Sequence, residues 1–206
     1  QKIPPIMSQD EVARLLANTP SIKARAMLSL AYGCGLRPGE VIRLRVGDID
    51  SNRGIIRIVQ SKGDKDRQVK LPTTVLELLR RYWSERSTKY DAKFNPEQRY
   101  LFPGRRPYEP LTARQQNRLF HQAADAAGIT KPVTVRSLRH SFATHLLDAG
   151  VDVRVIQALL GHVKLTTTAR YTRVATALIM AIESPIDLLG DCTGKTRKRK
   201  KAKPKT

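Results

Sequence analysis

An α+β fold, mainly α-helical with a small three-stranded antiparallel sheet, is predicted by three features of this sequence. Apolar residues recur at helical spacing on both sides of a short stretch whose period falls to two. Turn-rich clusters cut that stretch into three runs, and capping residues stand ahead of the helical segments. A chain of 206 residues holds one sizeable core. The expected organisation is a linker-type leader over residues 1–7, one domain over residues 8–190 and a disordered basic tail over residues 191–206.

Pro4 and Pro5 disfavour helix in the leader, and Ser8 with Glu11 three residues on forms a capping box that opens a helix ending near Ala17. Ser21 caps a second helix, in which Ala24, Met27, Leu28 and Ala31 form the buried stripe until Gly33 and Gly35 break it. From Val46 the runs GDID, GIIRIVQ and RQVKL are β-prone and are separated by SNRG and SKGDKD, which predicts the three-stranded sheet. Pro72 closes it, and Val75, Leu76, Leu78, Leu79 and Tyr82 resume a helical stripe.

Residues 87–110 hold three of the six tyrosines and four prolines, and read as a long irregular connection. Helices are expected over residues 112–127, 134–149 and 153–160, the last with Asp152 as N-cap and Gly161 as its stop. A shorter helix is expected over residues 166–170. Beyond Tyr171, VATALIMAIESPIDLL is apolar enough for a helix interrupted near Pro185, packed either on this domain or on a neighbouring protomer.

Lys and Arg number 38 against 18 acidic residues, a formal charge of +20, so the expected partner is a polyanion, with nucleic acid the commonest. The final twelve residues, KTRKRKKAKPKT, carry eight basic side chains, no acid and no apolar periodicity, and are expected to attract phosphate nonspecifically. Cys34 and Cys192 stand far apart, without a CxxC pair or a histidine at zinc-finger spacing, and read as free thiols. Neither a metal nor a cofactor is expected. No apolar run reaches the ~18 residues of a membrane span, and no signal pattern opens the sequence, so a soluble intracellular protein without a membrane partner is expected.

Four segments set reactive residues in distinctive surroundings. Arg37 lies in GCGLRPGEVIRL, Lys62 in QSKGDKDRQV, Arg139 in VRSLRHSFATHLLDAG, and His162 and Tyr171 in LLGHVKLTTTARYTRV. In this order they resemble the active-site boxes of the tyrosine recombinase, or phage integrase, family, over about residues 3–172. The resemblance implies the family's catalytic-domain fold, which agrees with the reading of the elements above. Pro4 and Pro5 stand where the linker from a core-binding domain would be. It further implies site-specific cleavage and rejoining of double-stranded DNA through a 3′-phosphotyrosine, by a homotetramer on paired sites, in the cytoplasm at the nucleoid of a bacterial or phage system.

The chemistry needs these residue types. Breaking a phosphodiester adds negative charge at phosphorus, and the guanidinium forks of Arg37 and Arg139 suit it as clamps. Tyr171 supplies a phenolate that attacks the phosphate and leaves again on rejoining, conserving the bond energy. Lys62, in a turn between two strands, can protonate the leaving 5′ oxygen as general acid, an effect worth about a hundredfold to ten-thousandfold. By resemblance His162, directly after Gly161, hydrogen-bonds the phosphate or moves a proton. Glu40, three residues after Arg37, can orient its guanidinium across one helical turn.

Out of context each has a plainer reading. Arg37 is a helix-terminal surface arginine, Arg139 an ion-pair partner on a helix flank, Lys62 a turn lysine, and His162 a histidine on a helix dipole. His140 and His145 flank the stripe of Leu138, Phe142, Leu146 and Ala149 and read as packing or supporting residues, while His121 suggests nothing.

One position departs from the family pattern. Arg136 stands three residues before Arg139, where the family usually has histidine. The spacing keeps both on one helical face, so Arg136 can donate to the same phosphate, but a guanidinium cannot act as a base at neutral pH. The Tyr171 proton then leaves through His162, water or the phosphate itself. Either cleavage survives with an altered pH dependence, or the enzyme is slow. Two other functions compete: relaxation of supercoils by the same tyrosine chemistry, and site occupancy by a DNA-binding protein that has lost catalysis.

Overall fold

The computed structural model describes residues 5–59, 66–86, 95–106, 108–161 and 182–189. The chain enters through Met7, fully buried, whose backbone N–H donates to Ser141 Oγ at 2.9 Å. Ser8 then caps α1 (Gln9–Ala17): its hydroxyl accepts from the Glu11 N–H, and the Glu11 carboxylate accepts from the Ser8 N–H at 2.7 Å. That reciprocal pair satisfies two of the helix's unpaired amino-terminal donors, as the sequence predicts.

α2 (Ile22–Gly33) starts at Ser21 as expected, but it is buried nearly all round rather than along one stripe. Ala24, Met27, Leu28 and Ala31 are inside, and so are Ala26, Ser29, Leu30 and Tyr32. The other elements wrap this central helix, which is why its apolar composition lacks a polar face. Its carboxyl end carries Cys34, a buried free thiol, and Gly35, whose φ of +60° and lack of a side chain leave room for the Phe142 ring.

A short helix, α3 (Pro38–Arg43), and a 3₁₀ turn (Val46–Asp48) lead into the sheet. β1 (Ile49–Asp50), β2 (Ile55–Ile58) and β3 (Arg67–Lys70) pair antiparallel in the order β1-β2-β3, with Ile56 opposite both Ile49 and Val69. The strands are shorter than the β-prone runs, although the three-stranded arrangement is as expected. α4 (Thr73–Glu85) follows Pro72 and buries Val75, Leu78, Leu79 and Tyr82; Leu76 is half-buried.

The connection expected over residues 87–110 is irregular, yet its described part is anchored. Leu101 and Phe102 are buried, the Leu101 N–H donates to the Leu44 carbonyl at 2.8 Å, and Tyr82 stacks on Phe102 with ring centroids 5.5 Å apart. α5 (Ala113–Ala126), α6 (Val135–Asp148) and α7 (Val153–Leu160) match the expected helices to within a residue at each end. In α6, His145 is buried and its Nδ1 lies 2.8 Å from the Tyr32 hydroxyl, a packing contact of the kind expected for it.

The described part of the segment after Tyr171 packs on this same domain. α8 (Pro185–Leu188) begins with proline at its first turn and buries Ile186 over Gly33. The Ser184 hydroxyl donates to the Gly33 carbonyl at 2.6 Å, Lys70 Nζ to the Ile182 carbonyl at 2.7 Å, and the Thr74 hydroxyl to Asp187 at 2.7 Å. The helix expected over residues 166–170, the apolar stretch before Ile182, Cys192 and the basic tail lie outside the described residues. Among the described residues no helix is long and apolar enough to cross a membrane.

Candidate active site

Arg37 is placed by the start of α3. Pro38 occupies the first helical position, where its fixed φ suits the turn and its missing N–H costs nothing. Glu40, in the first turn, reaches back: one carboxylate oxygen accepts the Arg37 N–H at 2.7 Å and the other accepts Arg37 Nη1 at 2.9 Å. The same carboxylate therefore fixes backbone and side chain of Arg37. Glu40 is 6% exposed against 40% for Arg37, so the anchor is buried while the guanidinium reaches solvent.

A second arginine, to which the sequence patterns assign no role, completes the anchor. Arg67, the first residue of β3, donates from Nη1 and Nη2 to the two Glu40 oxygens, both at 2.8 Å. This two-pronged fork is the strongest geometry an arginine and a carboxylate can adopt. The available signal was the strand period: Arg67 shares a face with Val69, which is buried, and a charge on the core side of a strand requires a partner. Burial opposes ionisation of Glu40, but the Arg67 fork, the Arg37 N–H and the Arg37 guanidinium outweigh it and hold the carboxyl down at about 2.

Arg139 sits deeper, 10% exposed on its side chain, with Nη1 4.0 Å from Glu40. Its hydrogen bonds run to main chain: Nη1 donates to the Gly35 carbonyl at 2.8 Å and Nη2 to the Leu160 carbonyl at 2.7 Å. The Leu160 carbonyl belongs to the last turn of α7, where carbonyls lack helical partners and positive charge is favourable. Arg139 thus ties the end of α2 to the end of α7 from the middle of α6. Burial, and next the neighbouring Arg37 charge, push its guanidinium down to about 10 against the favourable Glu40, which still leaves it charged at neutral pH.

Among the described residues, Arg37, Arg67 and Arg139 form one cluster facing one Glu40, leaving net positive charge. Such a site suits an anion with several oxygens. Arg136, in the first turn of α6, is exposed while Arg139 is buried, so their shared helical side runs from surface to interior. Burial, then the Arg136 and Arg139 charges, lower the His140 pKa and favour its neutral imidazole.

The structure brings Arg37, Glu40 and Arg139 together, with Arg136 on the helix that carries Arg139. Lys62, His162 and Tyr171 lie outside the described residues. Arg67, five residues after Lys62, starts β3, and Gly161, directly before His162, follows α7. Gly161 has φ +66°, and a Cβ there would stand 2.7 Å from Arg67 Cδ, so the turn ending α7 rests on the Arg67 stem. Among the described residues, no three His, Cys, Asp or Glu side chains group so as to hold a metal.

Residues 5–177 match the model described as the phage integrase family. A Sinorhizobium fredii relative, named as an integrase/recombinase, is 45% identical over 189 residues, covering 92% of this chain and 58% of its own. Tyrosine recombinase XerA of Thermococcus kodakarensis is 40% identical over 178 residues, covering 84% of this chain and 60% of its own. A crystal structure of XerA recombinase superposes with a TM-score of 0.69 at 31% identity, over 91% of this chain and 62% of that one. The chain therefore spans about three fifths of the length of these relatives.

Proposed function

The chain belongs to the phage integrase family of tyrosine recombinases, and we propose that it cleaves and rejoins DNA strands at specific sites through a 3′-phosphotyrosine intermediate. The observation that carries this reading is the cluster of three guanidiniums around the buried Glu40 carboxylate. A phosphodiester carries one negative charge and its five-coordinate transition state approaches two, so a clamp with excess positive charge binds the transition state more strongly than the ground state.

In the proposed reaction Arg37 and Arg139 hold the non-bridging oxygens. The Tyr171 oxygen attacks phosphorus, a bond to Tyr171 forms, and the bond from phosphorus to the 5′ oxygen breaks. Lys62 gives the departing 5′ oxygen its proton. The Tyr171 proton passes to His162, to water or to a phosphate oxygen. Rejoining reverses these steps, with the 5′-hydroxyl of a partner strand attacking and Tyr171 leaving, so neither cofactor nor ATP enters. Glu40 holds Arg37 in place, and Arg136, exposed beside this cluster, donates to the phosphate where the family usually has histidine.

Residues 8–190 are the catalytic unit in this reading, residues 1–7 a linker-type segment and residues 191–206 a basic tail that adds phosphate attraction. Double-stranded DNA is the partner, four protomers on paired sites exchange the strands, and the work is done in the cytoplasm at the nucleoid. The alternative is a catalytically impaired DNA-binding protein of the same fold, favoured by Arg136, which cannot accept a proton.

The test is a duplex selected from a random-sequence pool by binding to the protein, then nicked near the candidate scissile phosphates and run on a denaturing gel with wild type and Tyr171→Phe. A covalent adduct from wild type alone is expected. Binding without an adduct would leave the impaired DNA-binding protein as the better reading.

A further inference from the structure

We propose that Arg67 is a positioning residue for strand cleavage, holding the Arg37 clamp and the end of α7 in one arrangement; this rests on the cleavage reading above. Arg67 touches reacting atoms nowhere in this proposal. It acts through Glu40 and through Gly161.

Glu40 offers two oxygens, which receive four donors among the described residues. One oxygen takes Arg37 Nη1 at 2.9 Å and Arg67 Nη1 at 2.8 Å; the other takes the Arg37 N–H at 2.7 Å and Arg67 Nη2 at 2.8 Å. The Arg67 fork fixes the plane of the carboxylate, and that plane fixes where the Arg37 guanidinium points. Arg37 alone, at the N-cap of the short helix that carries Glu40 and 40% exposed, has no such rigidity. Arg139 Nη1 waits 4.0 Å from the same carboxylate. Without the fork, Glu40 is free to swing towards Arg139 and to draw it off the Gly35 and Leu160 carbonyls.

The stem of Arg67 does a second thing. Gly161 lies against it so closely that an added Cβ would stand 2.7 Å from Cδ and 3.0 Å from Nε. Three proposed catalytic residues are near neighbours in sequence of what Arg67 holds. Lys62 is five residues before it, Arg37 is joined to it through Glu40, and His162 follows Gly161. One side chain thereby registers the β2–β3 hairpin, α3 and the end of α7 against one another. A displacement of about 1 Å in such a constellation costs on the order of a hundredfold in rate.

Arg67→Lys is the informative variant, because a lysine stem still lies under Gly161 while an ammonium cannot form the fork. Arg67→Ala removes both, and thermal melts of each variant separate folding from positioning. With the nicked duplex saturating, single-turnover adduct formation by Arg67→Lys is expected to fall tenfold to a hundredfold, while its Kd for the duplex stays within about twofold of wild type. In a Glu40→Gln background the same substitution is expected to cost little more, since both act through one carboxylate. An unchanged rate, a loss expressed wholly in Kd, or losses that multiply across the two substitutions would each overturn the proposal.

A readout without cleavage keeps the two readings apart. The Arg37 side-chain NH signals in ¹⁵N NMR are expected to be sharp and slow to exchange in wild type and averaged in Arg67→Lys. If wild type forms no adduct, the cleavage reading fails, and unchanged Arg37 signals in the variant would independently sink the positioning one.

Discussion

Replacing Glu40 by glutamine keeps the size of the side chain and removes the charge on which the cluster turns. The amide also presents an NH₂ group to donors that previously met an oxygen, so at least one guanidinium contact becomes donor against donor. A carboxyl lowered from the ordinary 4.5 to about 2 corresponds to about 3 kcal/mol of folding stability at neutral pH. Because the folded-state value lies below the unfolded one, this contribution is complete above about pH 5 and is lost as the pH falls through 4.5 towards 2. Urea titrations of wild type and Glu40→Gln at pH 7 and pH 3 measure it directly. The variant is expected to be less stable by about 3 kcal/mol at pH 7 and by roughly half as much at pH 3. A stability gap of equal size at both pH values would show that the ionised carboxylate is not what holds the three arginines, and would refute the electrostatic account of the site.

Gly161→Ala and Gly128→Ala form a matched pair, since both glycines have φ +66° but only Gly161 has a neighbour that a Cβ would strike. Both should lose about 1 kcal/mol to the left-handed backbone, and Gly161→Ala about 1–3 kcal/mol more from overpacking, seen as an additional drop of several degrees in Tm. Equal melting temperatures would mean that the Arg67 stem yields freely. Arg139→Lys replaces the two nitrogens that reach the Gly35 and Leu160 carbonyls with a single one on a shorter stem, so a loss of about 1–3 kcal/mol is expected without any DNA present; an unchanged melt would rule out its tie between α2 and α7. Arg136→Ala is expected to slow adduct formation on the order of tenfold, as for a lost charge-assisted bond, while Arg136→His preserves or improves it. If alanine matches wild type and histidine brings neither, Arg136 has no part in cleavage.

The elements were legible where local chemistry dictates them. Ser8 with Glu11, Ser21 and Asp152 cap the helices that the sequence predicts they cap, because a capping hydroxyl or carboxylate acts within three residues of itself. The nearly complete burial of α2 depends on which elements surround it, and no local pattern records that. Arg37, Glu40 and Arg139 were singled out from their surrounding segments, and Glu40 does orient Arg37 across one turn. What Arg139 holds was not legible. Its acceptors are main-chain carbonyls of Gly35 and Leu160, and a carbonyl carries no residue identity to read. Arg67 escaped for a related reason, since in SKGDKDRQV it is one cation among several, and only the turn of the strand decides that it faces inward.

The Arg139 bond to the Gly35 carbonyl joins positions 104 residues apart, and the Met7 bond to Ser141 spans 134. The positively charged cluster is therefore a product of long-range closure and cannot be prepared by helices forming singly. During synthesis Arg37 and Glu40 leave the ribosome well before α6 exists to bring Arg139 to them. A partly unfolded full chain carries the same net charge of +20 as the folded one but lacks the assembled cluster. Under the proposed reaction, attraction to phosphate can therefore precede the ability to cleave, which waits for α6 to close on α2 and α3.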